Sequence, residues 1–111
     1  MTDTERTRLL RDLHRGLISR NRAFDLFEHP EARRVLGAYR TLRDLVRDLG
    51  RPGVRVRTRW VENPGAVAVA VEAPGLRYRR VAVLPPWAVA FLESEMGPRT
   101  VLRPPPRPSP P

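Results

Sequence analysis

Between Val54 and Leu84 apolar and polar residues alternate in three short runs, VRVRTRWVE, AVAVAVEA and LRYRRVAVL. Alternation rich in β-branched residues predicts strands with one face in and one face out. Asn63-Pro64-Gly65 and Pro74-Gly75 separate the runs and predict tight reversals, hence an antiparallel meander. With two-residue hairpins centred on Pro64-Gly65 and Pro74-Gly75, Glu72 falls between Arg57 and Arg77, and Ala70 between Arg59 and Arg79. Ala68 then lies between Val61 and Val81 on the same face. The other face gathers Trp60, Val67, Val69, Val71 and Tyr78, with Arg80 intruding and its stem snorkelling at an edge. A one-residue slip would throw arginines onto the apolar side. Val81 and Val83 continue the arginine face as apolar positions, which invites a covering helix.

Upstream the period changes. Thr2 and Glu5 have capping-box spacing, and Leu9, Leu10, Leu13 and Leu17 recur at helical intervals, so a first helix opens the chain. Ser19 or Asn21 can cap the next piece, in which Ala23, Phe24, Leu26 and Phe27 are expected to dock in the core. His29-Pro30 ends that piece and starts a long helix. Its stripe runs Ala32, Val35, Tyr39, Leu42, Val46 and Leu49 at alternating steps of three and four, the pattern of helix-on-helix packing. Gly50-Arg51-Pro52-Gly53 stops it. After the strands, Pro85-Pro86 opens a short helix, WAVAFLESEM, with Trp87 and Phe91 on its apolar side and Glu93 and Glu95 toward water. Arg99–Leu102 offers a brief edge strand. The expectation is an α+β fold: two N-terminal helices, the second one long, a three-stranded antiparallel meander, and a short C-terminal helix. Residues 1–102 form one domain, and 103–111 are a proline-rich tail, extended and unpacked.

At 111 residues the chain suits a single domain, with 41% hydrophobic residues to fill a modest core. No apolar run approaches the roughly 20 residues of a membrane span, and no signal peptide is legible, so the cytoplasm is the expected location and no membrane the expectation. Cysteine is absent, which removes thiol catalysis, disulfides and cysteine-based metal sites. His14 and His29 have no partner at metal-binding spacing, so neither a metal nor a cofactor is expected. No glycine-rich phosphate loop of the G-x-x-x-x-G-K or G-x-G-x-x-G type occurs.

Charge changes the picture most. The formal net charge is +9, and every basic side chain is arginine. Arginine suits bidentate contact with phosphate or carboxylate, and the balance favours an anionic partner. The leading expectation is a non-catalytic protein binding nucleic acid, duplex DNA or structured RNA, through Arg55, Arg57, Arg59, Arg77, Arg79 and Arg80. With Tyr78 and Trp60 on the inner face, no stacking platform for single strands is expected. The alternative is a protein partner or a homodimer built on Tyr39, Leu42, Val46 and Leu49 of the long helix, an accessory or regulatory subunit. A small nuclease is the third reading; it requires a histidine, Tyr39 or Tyr78 to meet an arginine and a carboxylate in a cleft. No catalytic residue is assigned.

Overall fold

The structure, a computed structural model, describes residues 1–62, 65–97 and 100–106. Four helices and three strands follow one another in the order α1 (Asp3–His14), α2 (Arg20–Leu26), α3 (Pro30–Leu49), β1 (Arg55–Glu62), β2 (Ala66–Glu72), β3 (Arg80–Leu84) and α4 (Pro86–Met96). The fold is α+β with an antiparallel meander, β1-β2-β3, as the alternation predicts.

Local chemistry accounts for the helix starts. The Thr2 hydroxyl accepts from the Glu5 amide while Glu5 reaches back to the Thr2 amide, a complete capping box. Ser19 accepts from the Arg22 amide and starts α2. Pro30 opens α3, where a missing N–H costs nothing. Helix α4 is more central than its length suggests. Trp87, Ala88, Val89, Phe91 and Leu92 are all buried, because α4 is wedged between the sheet and the pair α1 and α3. Its acids are drawn into pairs: Glu95 lies 3.2 Å from Arg15, and Glu93 accepts from Arg103 at 2.8 Å.

Two layers result. Val67, Val69 and Val71 of β2, together with Leu84, face Phe91, Leu92, Leu42, Leu45 and Leu10 in one continuous core. Within the helical layer the His14 ring nitrogen Nδ1 shares a hydrogen bond with the Tyr39 hydroxyl at 2.9 Å, and the imidazole edge meets Phe91. The Tyr39 hydroxyl and one imidazole nitrogen are thereby satisfied.

The register differs from the expected one by two residues on both sides of β2. Arg55 pairs with Glu72, Arg57 with Ala70 and Arg59 with Ala68, and a bulge lies between Trp60 and Glu62. On the other side Ala70 pairs with Val81 and Val71 with Arg80. An even displacement keeps every side chain on its face, so the two-faced sheet survives the change. At the second reversal the reason is visible. Proline fixes φ near −65°, Gly75 sits at φ +89°, and the Leu76 amide donates to the Ala73 carbonyl at 3.0 Å. That is a type II turn, whose twist splays strands instead of pairing them. The chain therefore turns but does not zip, and β3 begins only at Arg80. The first reversal, at Asn63 and Pro64, lies outside the described residues.

Three further expectations are corrected. Phe24 and Phe27 do not dock in the core; they are 78% and 51% exposed, and α2 contributes no buried residue. Among the described residues no helix covers the apolar end of the arginine face, where Val81 and Val83 stay exposed. Thr100–Leu102 forms no strand; Leu102 instead inserts into the core. The next residues are also placed: Pro104 is buried, and the Trp60 indole donates to the Pro105 carbonyl at 2.9 Å. Residues 107–111 lie outside the described residues.

Candidate nucleic-acid interface

Because α4 occupies the valine side of the sheet, the alternate residues of β1 point away from every helix. Arg55, Arg57 and Arg59 are exposed in a row on that outer face. Alternate strand residues repeat about every 6.7 Å, so the row spans roughly 13 Å. Across from it β2 sets Glu72 opposite Arg55 but only alanines, Ala70 and Ala68, opposite Arg57 and Arg59, and these short side chains leave a shallow groove. The groove holds about 280 Å³ and is walled by Arg57, Arg59, Arg79 and Val81. Val81 and Val83 of β3 form its far ridge, each about 60% exposed.

The loop before β3 widens the basic surface at one end. Arg77 and Arg79 are exposed there, as expected, but they stand outside the strand. Arg79 lies 3.9 Å from Glu72, which pairs across the ladder with Arg55. Glu72 is thus flanked by two arginines, though by Arg55 and Arg79 and not by Arg57 and Arg77. A hollow of about 610 Å³ opens between Arg55, Glu72, Arg79 and Tyr78. Tyr78 is 79% exposed, so its expected place on the inner face is corrected. Freed from the ladder by the type II turn, it lines this hollow together with Arg55 and Arg79. The alternation rule missed it because that rule assumed the strand continued to Leu76.

Arg80 belongs to a different structure. Its Nε donates to Asp48 Oδ2 at 2.6 Å, and Arg51 Nε donates to Oδ1 of the same carboxylate at 3.1 Å. Asp48 is wholly buried at the last turn of α3. Burial pushes its carboxyl up, but the hydrogen bonds from Arg80 and Arg51 outweigh this and hold it below the ordinary carboxylate range. Arg80 is therefore the tie between α3 and β3 and is removed from the phosphate-facing set. Tyr39, Leu42, Val46 and Leu49 are also spent inside the chain. Leu42 and Leu49 are buried, while Tyr39 and Val46 are half-buried against the same core.

No known family, curated protein or solved structure matches this chain. Its own geometry must therefore carry the reading of function. Among the described residues no three His, Asp or Glu side chains gather as a metal site, and no helix is long and apolar enough to cross a membrane. His14 is committed to Tyr39 in the helical layer, and His29 precedes Pro30 at the start of α3. Neither stands on the arginine face. The groove carries cations and small apolar residues, which equips it to bind an anion, and the hollow at its end adds the Tyr78 phenol and the Glu72 carboxylate beside Arg55 and Arg79.

Proposed function

We propose that this protein binds nucleic acid, as duplex DNA or structured RNA, through the outer face of its sheet. The observation that carries the reading is the row Arg55, Arg57 and Arg59, exposed on a face that no described helix covers, with a carboxylate, Glu72, opposite Arg55 alone. One strand of a duplex offers a phosphate about every 3.4 Å of helix axis, so the row matches roughly four phosphate steps. The alanine floor lets a sugar-phosphate backbone approach closely, and Arg77 and Arg79 extend the contact. Contacts of this kind set position and affinity and carry no base sequence. Tyr78, exposed next to Arg79, adds one aromatic surface for an unpaired base in a loop or bulge.

A second reading has one observation in its favour. Val81 and Val83 stand exposed in line with the arginines, and an apolar ridge beside arginines fits an acidic protein segment better than a phosphate backbone. Binding of labelled duplex DNA and hairpin RNA at two salt concentrations separates the two. Wild-type protein is expected to bind at low salt and to weaken steeply as salt rises. Arg57→Ala/Arg59→Ala/Arg79→Ala weakens it by at least about tenfold, and Val81→Thr/Val83→Thr leaves it unchanged. Failure of wild type to bind either probe at low salt overturns the reading and leaves the acidic segment.

A further inference from the structure

Helix α2 is the anomaly of the molecule. It holds no fully buried residue and touches the core only through the half-buried Leu26, yet it carries Phe24, the most exposed phenylalanine, with Ala23 and Phe27 on the same side. The three line an open, almost wholly apolar hollow of about 750 Å³ whose remaining wall is Arg20, Glu28 and Arg33. The backbone of the hollow is held in shape: Arg33 Nε donates to the Phe27 carbonyl at 2.8 Å, closing the turn after α2. Exposed aromatics in a shaped, pinned setting mark an interface.

The rim says which partner fits. Arg20 stands at the N-terminal end and Glu28 just past the C-terminal end, and Phe24 lies midway between them in sequence. Both charged residues are exposed, and among the described residues neither has an ion-pair partner. We propose that the occupant is a second copy of this chain, packed α2 against α2 in antiparallel fashion about a two-fold axis at Phe24. At about 1.5 Å per residue, Arg20 and Glu28 are roughly 12 Å apart along the helix. The two-fold therefore sets Arg20 of each protomer opposite Glu28 of the other, once at each end, with both pairs of phenylalanines between. Such an interface is self-complementary, as a two-fold contact must be. A polyanion would meet Asp25 and Glu28, and a uniformly acidic helix would leave Glu28 against like charge. The helix is short, so the contact falls well below the roughly 800 Å² per partner of a standard interface, and the dimer is a weak one. It is independent of the arginine face, but it would carry two such faces on one particle and raise their joint affinity.

Sedimentation equilibrium of the full chain from micromolar to millimolar concentration tests this. The mass is expected to rise with concentration toward twice that of one chain. Phe24→Glu should hold the protein monomeric throughout. Arg20→Glu sets like charges together at both ends and should weaken association about tenfold or more, while Arg20→Glu/Glu28→Arg restores it because the pairs re-form with signs exchanged. These side chains are exposed, so far-UV circular dichroism and melting should match wild type. A wild type that stays monomeric, a dimer indifferent to Phe24→Glu, or a double exchange as weak as the single one overturns the proposal. The first of these would assign the hollow to another partner.

Discussion

Asp48 shows how one buried side chain fixes the relation of two layers. It sits wholly out of water at the end of α3, and Arg80 reaches it from β3 and Arg51 from the intervening loop. Removing one member of a buried pair costs more than the pair is worth, because the partners are left uncompensated. Both arginines keep about a third of their side-chain surface in water, which softens the loss. Asp48→Ala is expected to destabilise the protein by about 3 kcal/mol, the low end for a broken buried pair. The pH dependence comes from the direction of the shift. The folded carboxyl titrates below its ordinary value of 3.8, so its contribution is fully present above that value and is lost as pH falls through and below it. Urea unfolding of wild type should show a midpoint that declines in acid below about pH 5. Asp48→Asn should start lower at neutral pH and decline less steeply. An acid limb of equal slope in the two proteins would remove Asp48 from the account.

At the level of elements, the described start of the proline-rich segment acts as a strap. Leu102 and Pro104 are buried, Arg103 pairs with Glu93, and the Pro105 carbonyl takes the Trp60 indole hydrogen on the half-buried flank of β1. The Trp60–Pro105 hydrogen bond, worth about 1 kcal/mol, the largely exposed Arg103–Glu93 pair, worth less than that, and the burial of Pro104 are offset in part by the entropy of ordering these residues. A chain ending at Leu102 should therefore lose about 1–2 kcal/mol and melt roughly 5–10 °C lower. Trp60 emission should shift to the red as its indole enters water, while the buried Trp87 does not change. An unchanged melting temperature and spectrum would show that the strap is idle. Such a strap was hardly legible, since PPPRPSPP has no period from which docking can be read. The helices were legible because capping residues and three-four spacing act locally, as at Thr2, Ser19 and Pro30. The sheet faces were legible too, because alternation survives any even displacement of register. The register itself was not: Pro74-Gly75 reads as a reversal, but the pair makes a type II turn, and the consequence for strand twist lies beyond the dipeptide. That single point moved Tyr78 out of the ladder. Arg80 was legible as an intruder on the apolar face, but its partner Asp48 lies on another element, 32 residues away. Phe24 and Phe27 misled for the opposite reason, since an apolar cluster announces burial without saying in which molecule.

For the whole molecule the question is whether the face or merely the charge binds. A net charge of +9 attracts any polyanion at low salt, so loss of three arginines weakens binding somewhat wherever they are. Position separates the cases. Along its shortest dimension the molecule measures 24 Å, more than twice the roughly 10 Å over which salt screens charge at 0.1 M. Arginines on the helical layer then contribute little to the potential felt at the sheet. Arg33, Arg34 and Arg40 are exposed on α3, on the turns away from the Asp44 and Asp48 contacts with Arg80, and replacing all three by alanine lowers the net charge by the same three units as Arg57→Ala/Arg59→Ala/Arg79→Ala. If the sheet face holds the duplex, the sheet variant loses roughly 2 to 3 from the slope of log affinity against log salt, one contact contributing about 0.9. The α3 variant should shift that slope by less than about one contact. Filter binding or anisotropy across a salt series gives both slopes from the same probe. Equal losses in the two variants would mean that the protein binds as a diffuse cation. The arginine row would then be a solvated surface with no assigned ligand.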